Sequence, residues 1–150
     1  MKLLAAALLA AALLTAGCGG SDDTDDYVKQ VNSANTEHAK EITRLTAAAG
    51  ALAAKPKQMA AKFEQAADVV DKVSDELAAI DPPEDAKAGH AMLVSGTRRT
   101  AEEFRAAADQ AADGDVEAAV NTVSAGIGAK EYEAGLARLV KDAGIKRESQ

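Results

Sequence analysis

The sequence predicts an all-α protein, an up-down-up-down four-helix bundle, from three observations. Apolar residues recur at steps of three and four along four segments, which is the spacing of one helix face. Proline and Gly-Asp signals separate these segments by short connections, as between antiparallel helices. No segment shows the alternation typical of a strand. The chain is rich in alanine and has four aromatic residues and no tryptophan, so we expect a thin core and closely spaced helix axes.

The first two predicted helices span residues 25–54 and 56–80. Pro56 pushes Lys55 out of the α region and can itself occupy the first turn of the second helix. The run 81–83, Asp-Pro-Pro, ends the second helix, because prolines remove donors and clash with helix geometry. The unbroken four-three step of the second helix favours left-handed bundle packing. The two stripes are Val31, Ala34, His38, Ile42, Leu45, Ala49 and Leu52, and Met59, Phe63, Ala66, Val70, Val73, Leu77 and Ile80.

The third predicted helix starts near Glu84 and ends at an Asp-Gly-Asp turn. Gly114 can take the left-handed conformation that closes a helix, and Asp115 can cap the helix that follows. The stripe of the third helix comprises Ala86, His90, Leu93, Thr97, Thr100, Phe104, Ala107 and Ala111.

The fourth predicted helix follows from residue 116 to residue 143, and its stripe slips in the middle. The slip coincides with residues 126–128, Gly-Ile-Gly, where we expect a kink or fraying. Gly144 and Ile145 indicate a glycine closure with an apolar residue tucked behind it, and residues 146–150 are expected to be a disordered tail. The two parts of the stripe are Val116, Val120, Val123 and Ile127, then Tyr132, Leu136, Leu139 and Ala143.

The N-terminus has the composition of an export signal. Lys2 precedes twelve leucine and alanine residues, 3–14. A helix of that length rises about 18 Å, too short for a hydrocarbon core of about 30 Å. The positive start, the short apolar segment and the small residues at 15–17 indicate a cleaved signal peptide over residues 1–17. The alternative is an uncleaved signal anchor with an incidental cysteine.

The only cysteine, Cys18, closes this segment in the run Leu14-Thr15-Ala16-Gly17-Cys18. The run resembles the lipobox of bacterial lipoproteins, with Thr15 where that motif more often has leucine. The resemblance implies that the Cys18 thiol carries a diacylglyceryl group and that the preceding peptide is removed. Two acyl chains give a stable anchor where one gives a marginal one. Lipidation also accounts for a lone thiol in an exported chain, which can form no internal disulfide.

Residues 18–26 are predicted to be the lipidated cysteine and a flexible acidic tether, since glycine, serine and mutually repelling aspartates disfavour packing. Loss of the leader removes Lys2 and changes the net charge from -7 to -8. An acidic surface opposes binding to nucleic acid and to anionic headgroups, so we expect membrane contact through the lipid on Cys18 alone. The predicted location is the extracytoplasmic face of the cell membrane.

The body of the chain, residues 25–145, also resembles small alanine-rich helical lipoproteins of high-GC Gram-positive bacteria. The matching parts are the Pro-Pro turn, the histidine after it, the Gly-Asp turn and the closing Ala-Gly-Ile. The resemblance implies a lipid-anchored bundle over residues 27–145 and implies no reaction.

The two histidines, His38 and His90, are weak candidates for metal ligands because both lie on apolar stripes. Helices one and three run in the same direction, and His38 lies further from the start of its helix than His90 does from the start of its own. At about 1.5 Å per residue, this difference places the imidazoles roughly 10 Å apart along the bundle. Neither histidine belongs to a His-x-x-x-His or Glu-x-x-His pair. We therefore expect no metal site, and expect each imidazole to be satisfied by a neighbour, such as Glu41 for His38.

Two other motifs have simple interpretations. Residues 126–130 superficially resemble a phosphate loop, but no strand precedes them, and we expect a flexible joint. Arg98 and Arg99 precede Glu102 and Glu103 by four, which predicts exposed ion pairs worth a few tenths of a kcal/mol each. An anion site at the two arginines is the less favoured alternative.

The sequence contains no recognisable catalytic apparatus. It has no Gly-x-Ser-x-Gly elbow and no Cys-x-x-Cys-His haem motif, and a narrow bundle offers little concavity. We predict a non-enzymatic lipoprotein without a cofactor that presents a helical surface to a protein partner. The alternative is a small-ligand or metal-binding bundle at the cell surface, with its pocket near the slip in helix four or around the histidines.

Overall fold

A computed structural model of the chain describes residues 14–15 and 22–147. The described part is an all-α four-helix bundle whose fourth helix is broken in two, so the predicted fold class is confirmed. A two-residue antiparallel ladder joins the two ends of the described chain. The elements are β1 (Leu14–Thr15), α1 (Asp22–Gly50), α2 (Pro56–Ala78), α3 (Lys87–Ala112), α4 (Val116–Ala125), α5 (Ile127–Asp142) and β2 (Lys146–Arg147).

Helix α3 lies at the centre of the packing. It contacts α2 and both parts of the fourth helix, while α1 packs on α2. The predicted stripes of α2 and α3 are buried at every position, which confirms the four-three step on which the bundle prediction depended. Between these helices the rings of Phe63 and Phe104 stack with their centroids 6.2 Å apart. The core is therefore built mainly from alanine and aliphatic side chains, with Tyr27, Phe63, Phe104 and Tyr132 as its aromatic members.

Helices α3 and α5 approach each other through glycines. Gly89 and Gly96 in α3 face Gly135 and Gly128 in α5, and each pair is seven residues apart in its own helix. A Cβ atom placed on Gly96 would lie 2.5 Å from the backbone nitrogen of Tyr132 and 2.7 Å from the carbonyl oxygen of Gly128. Carbon atoms normally pack at about 3.5–4.0 Å. The two backbones are therefore in direct contact, with no room for a methyl group.

The predicted helix ends are confirmed where glycine and aspartate mark them. Gly114 has φ 90° and Gly144 has φ 65°, both in the left-handed region. The side chain of Asp115 accepts a hydrogen bond from the N–H of Ala118 at 2.9 Å and so caps α4. Behind Gly144, the side chain of Ile145 is 1% exposed and completes the core at the end of α5.

The kink predicted in the fourth helix is a complete break. Gly126 has φ 55°, in the left-handed region, and separates α4 from α5. The break resets the helical register, because α5 starts a new turn on the far side of a non-helical residue. Ile127 is consequently 48% exposed, and its predicted place on the apolar stripe is wrong. Of the two alternatives expected here, a kink or fraying, the structure shows the break in the helix, and Gly128 and Ala129 are buried at the start of α5.

Both ends of the bundle differ from the prediction. Residues 22–26 were expected to be tether and are instead the first turns of α1. Negative side chains favour the positive end of the helix dipole, and Asp26 pairs with Lys29 at 3.0 Å. At the other end, Lys146 and Arg147 were expected to be disordered and instead pair with Thr15 and Leu14. The cysteine, the rest of the tether, most of the leader and residues 148–150 lie outside the described residues.

Candidate functional site

The end of the predicted leader is bound to the bundle. The side chain of Leu14 is 2% exposed and belongs to the hydrophobic core. The backbone N–H of Leu14 donates to Oδ1 of Asn32 at 2.9 Å, and Nδ2 of Asn32 donates to the carbonyl oxygen of Leu14 at 2.8 Å. One carboxamide thus brackets one extended residue. We call the carboxamide of Asn32, the edge of β2 and the core surface under Leu14 the Leu14 site.

Residue Cys18 lies between β1 and α1, outside the described residues, so its lipidation stays a prediction. Helix α1 begins only a few residues after Cys18 in the sequence. Helix α1 begins at Asp22, and only residues 19–21 separate the cysteine from the helix. Of the predicted tether, only this short stretch can act as one.

His38 joins α1 to α2 through a carboxylate. Its Nε2 lies 2.9 Å from Oε1 of Glu76, so the prediction that Glu41 is the partner of His38 is wrong. Glu76 reaches His38 from the facing helix, while Glu41 accepts a hydrogen bond from Arg44 on its own helix. The carboxylate of Glu37 lies nearby, and one ligand atom from each of Glu37, His38 and Glu76 fits within 4.8 Å of the others. An imidazole and two carboxylates form a donor set that suits divalent ions such as Zn²⁺.

His90 occupies a drier environment at another level of the bundle. It is 6% exposed, and its Nδ1 lies 3.2 Å from the hydroxyl oxygen of Tyr27. Burial lowers the pKa of His90, and the backbone carbonyl of Leu77 opposes this in part. Burial also raises the pKa of Tyr27. The contact between the Tyr27 hydroxyl and Nδ1 of His90 therefore links α3 to α1.

The structure does not bring the two histidines into one site. Tyr27, which contacts His90, lies in α1 together with His38. The two α1 residues are eleven positions apart, which is about 16 Å along the helix axis. The expectation that each imidazole is satisfied by a neighbour is confirmed for both.

An open groove of ≈ 600 Å³ runs beside His90. It is lined in part by Ile80, Pro82, His90, Val94, Arg98 and Arg99. The two arginines are exposed and form none of the ion pairs found in the described chain, so the predicted i,i+4 pairs are wrong. Glu103 turns instead towards α5, where its carboxylate accepts from the N–H of Gly128 at 2.9 Å. A helix N-terminus offers unsatisfied N–H groups and a positive dipole end, which attract this carboxylate.

The carboxylate of Glu103 binds within residues 126–130, the segment that superficially resembles a phosphate loop. A helix precedes the segment, as expected, since α4 ends at Ala125. The N–H of Gly128 is already taken by Glu103, and its Cα packs against the backbone of Gly96 and Thr100. The segment is therefore a tightly packed joint between α4 and α5, and the flexibility expected of this joint stays a prediction.

No protein family, curated protein or solved structure matches this chain. Within the described residues, no helix combines the length and apolarity needed to cross a membrane.

Tyr27, Asn32 and Glu76 are among the residues of these sites that the sequence did not indicate. Asn32 and Glu76 lie off the apolar stripes of their helices, Tyr27 lies four residues before the first predicted position of its stripe, and each meets a partner far away in the chain. Tyr27 carried a weak signal, as the one aromatic side chain of α1. No signal in the sequence marks Asn32 or Glu76, because polar residues on a helix surface are ordinarily solvated.

Proposed function

We propose that the mature protein is a bacterial lipoprotein held at the extracytoplasmic face of the cell membrane by a diacylglyceryl group on Cys18. In this proposal it is a non-enzymatic helical module that presents a surface to a protein partner. The observation that carries the proposal is the position of the sole cysteine, directly after small residues that close a short apolar segment behind Lys2. The acidic balance of the chain disfavours nucleic acid as the partner.

The early start of α1 affects how such a protein would sit. Three residues, 19–21, span at most about 10 Å when fully extended. The bundle would therefore be held against the headgroups. Asp23, Asp25 and Asp26 are exposed on the first turns of α1 and would be repelled by anionic lipid. This repulsion acts against the tether, so the first turns of α1 would stay as far from anionic headgroups as residues 19–21 allow.

Intact-mass analysis of the full-length chain, expressed in a bacterium and purified from membranes, tests the anchor. We expect a mature N-terminus at Cys18 with added diacylglyceryl mass, and incorporation of labelled palmitate. Cys18→Ala should abolish labelling and leave the leader attached, whereas Ser21→Ala should be processed like the wild type. An unmodified thiol on a chain that keeps residues 1–17 would refute the proposal.

The partner role is tested separately, by crosslinking in membranes of the producing cell. We expect the wild type to form an adduct with one specific protein. The Cys18→Ala chain carries no lipid and should not reach the same location, so it should not form this adduct. An adduct pattern that is the same for both chains would contradict a partner at the membrane face.

The second candidate function is binding of a divalent cation, and the cluster of Glu37, His38 and Glu76 favours it. A bound ion stabilises the folded state by mass action, so Zn²⁺ should raise the melting temperature. His38→Gln should remove the rise, and Glu41→Gln, a charge change on the same helix, should leave it intact. A melting temperature independent of Zn²⁺, or a rise unaffected by His38→Gln, would exclude this site.

A further inference from the structure

Cleavage of the leader would uncover a formed site on the bundle. Leu14 and Thr15 lie on the leader side of the predicted cleavage point, and they occupy the Leu14 site. If residues 1–17 are removed, these two residues leave with them. The carboxamide of Asn32, the edge of β2 and the core surface under Leu14 then lose their partner.

We propose that the vacated Leu14 site binds an extended segment of a partner protein by strand addition. A branched apolar side chain of the partner takes the place of Leu14. This inference rests on the proposed function, because the site becomes free only if the leader is cleaved.

The contacts of Leu14 show what the site recognises. Asn32 satisfies both backbone polar groups of one extended residue, at 2.9 and 2.8 Å, and this contact does not depend on the side chain of that residue. The pairing with β2 fixes the direction of the segment as antiparallel. Leu14 is 2% exposed, so the side chain at this position enters the core. Main-chain hydrogen bonds with a pocket for one side chain are the recognition mode of strand addition.

The vacated surface also carries polar groups with which a partner segment can form hydrogen bonds. The carboxamide of Asn32, half-buried with Leu14 in place, loses both of its hydrogen bonds to Leu14 when the leader is removed. One turn further along α1, Nδ2 of Asn35 is buried and has no hydrogen-bond partner in the described chain. Residues three apart are neighbours on a helix surface, so a longer extended segment on this face has a further donor to engage.

The charge of β2 favours a partner over a second copy of this chain. Lys146 and Arg147 are consecutive, and both carry a positive charge. Pairing two β2 edges would place four cations together, and basic residues on an edge strand are a known barrier to self-association. A neutral or acidic segment meets no such barrier.

The test uses the processed protein, purified from membranes in detergent, and a fluorescent peptide with the sequence of residues 11–16, Ala-Ala-Leu-Leu-Thr-Ala. Intact mass is read first on the same sample. Fluorescence anisotropy should show saturable binding. A peptide methylated on the amide nitrogen equivalent to Leu14 loses the donor to Asn32 and should bind at least tenfold more weakly. On the protein side, Asn32→Ala should have a similar effect, while Asn121→Ala, at an exposed position of α4, should stay within twofold of the wild type.

The precursor provides the second arm. In Cys18→Ala the leader is retained and fills the site, so this chain should not bind the peptide. Equal binding by the precursor, equal binding of the methylated peptide, or no binding by the processed protein would each overturn the proposal. A mass that retains residues 1–17 in the wild type refutes the lipid anchor instead. Because mass and binding are separate readouts of one sample, the two failures are distinguishable.

Discussion

Replacing Gly96 with alanine tests whether α3 and α5 are held in backbone contact. The three atoms nearest to the added Cβ would be the backbone nitrogen of Tyr132 at 2.5 Å, the carbonyl oxygen of Gly128 at 2.7 Å and the Cα of Tyr132 at 2.9 Å. All three belong to the backbone, so none can rotate away. The methyl group can be accommodated only if the two helices move apart.

Two effects of opposite sign determine the size of the change. Alanine is more favourable than glycine in a helix by about 1 kcal/mol. Overpacking a close-packed core costs about 1–3 kcal/mol and occasionally more. Since the clash of Gly96→Ala involves only backbone atoms, we expect an overpacking cost at the upper end of that range, which exceeds the helix-propensity gain and leaves a net loss of about 2 kcal/mol. For a domain of this size that lowers the melting temperature by roughly 7 °C.

Thermal and urea unfolding followed by circular dichroism measure this loss. Gly89→Ala provides a graded comparison, because its added Cβ would meet chiefly the side chain of Leu139, at 2.8 Å, and that side chain can move. Its loss should be smaller than that of Gly96→Ala. Ser95→Ala, at the exposed neighbouring position, should change stability by less than about 0.5 kcal/mol. An unchanged or higher melting temperature for Gly96→Ala would show that α3 and α5 are further apart than described.

The remaining predictions concern the core, the buried imidazole and a helix cap. Phe63→Ala removes a 2% exposed ring stacked on Phe104 and should cost about 3 kcal/mol or more in urea unfolding, and a loss below about 1 kcal/mol would place this seam in solvent. Because burial lowers the pKa of His90, the unfolded chain takes up the proton first, and the free energy of unfolding should fall as the pH drops below about 6.5. His90→Gln should flatten this part of the pH dependence of the melting temperature, and an equal slope in both proteins would contradict it. Asp115→Ala should cost about 1 kcal/mol through loss of the cap, and a similar loss for the exposed Asp113→Ala would argue against that cause.

Much of the fold could be predicted because its signals are local. The four-three spacing in α2 and α3 identifies every buried position of their stripes, since one helix face repeats at that interval. Gly114, Asp115 and Gly144 mark helix ends through their own backbone and side-chain preferences. The prediction failed at Ile127, where the left-handed Gly126 restarts the helix at a register that periodicity alone does not contain.

The candidate sites were less predictable, because their contacts cross between elements. His38 meets Glu76 on the facing helix, and the pattern within α1 suggested Glu41 instead. Asn32 brackets Leu14 from eighteen positions along the chain. Neither partner is visible in a helical periodicity, which specifies the face of a helix and leaves open what that face meets.

By itself, the sequence determined the four-helix arrangement, the buried faces of α2 and α3 and the prediction of a lipid on Cys18, since these follow from spacing and local chemistry. Only the tertiary structure decided that α3 and α5 meet backbone to backbone through four glycines. It alone also decided that Glu37, His38 and Glu76 converge and that Leu14 closes the core beside Asn32. The physical reason is that the glycine spacing permits close approach of two helices but does not require it. The packing of the whole bundle decides which helix packs against the glycines.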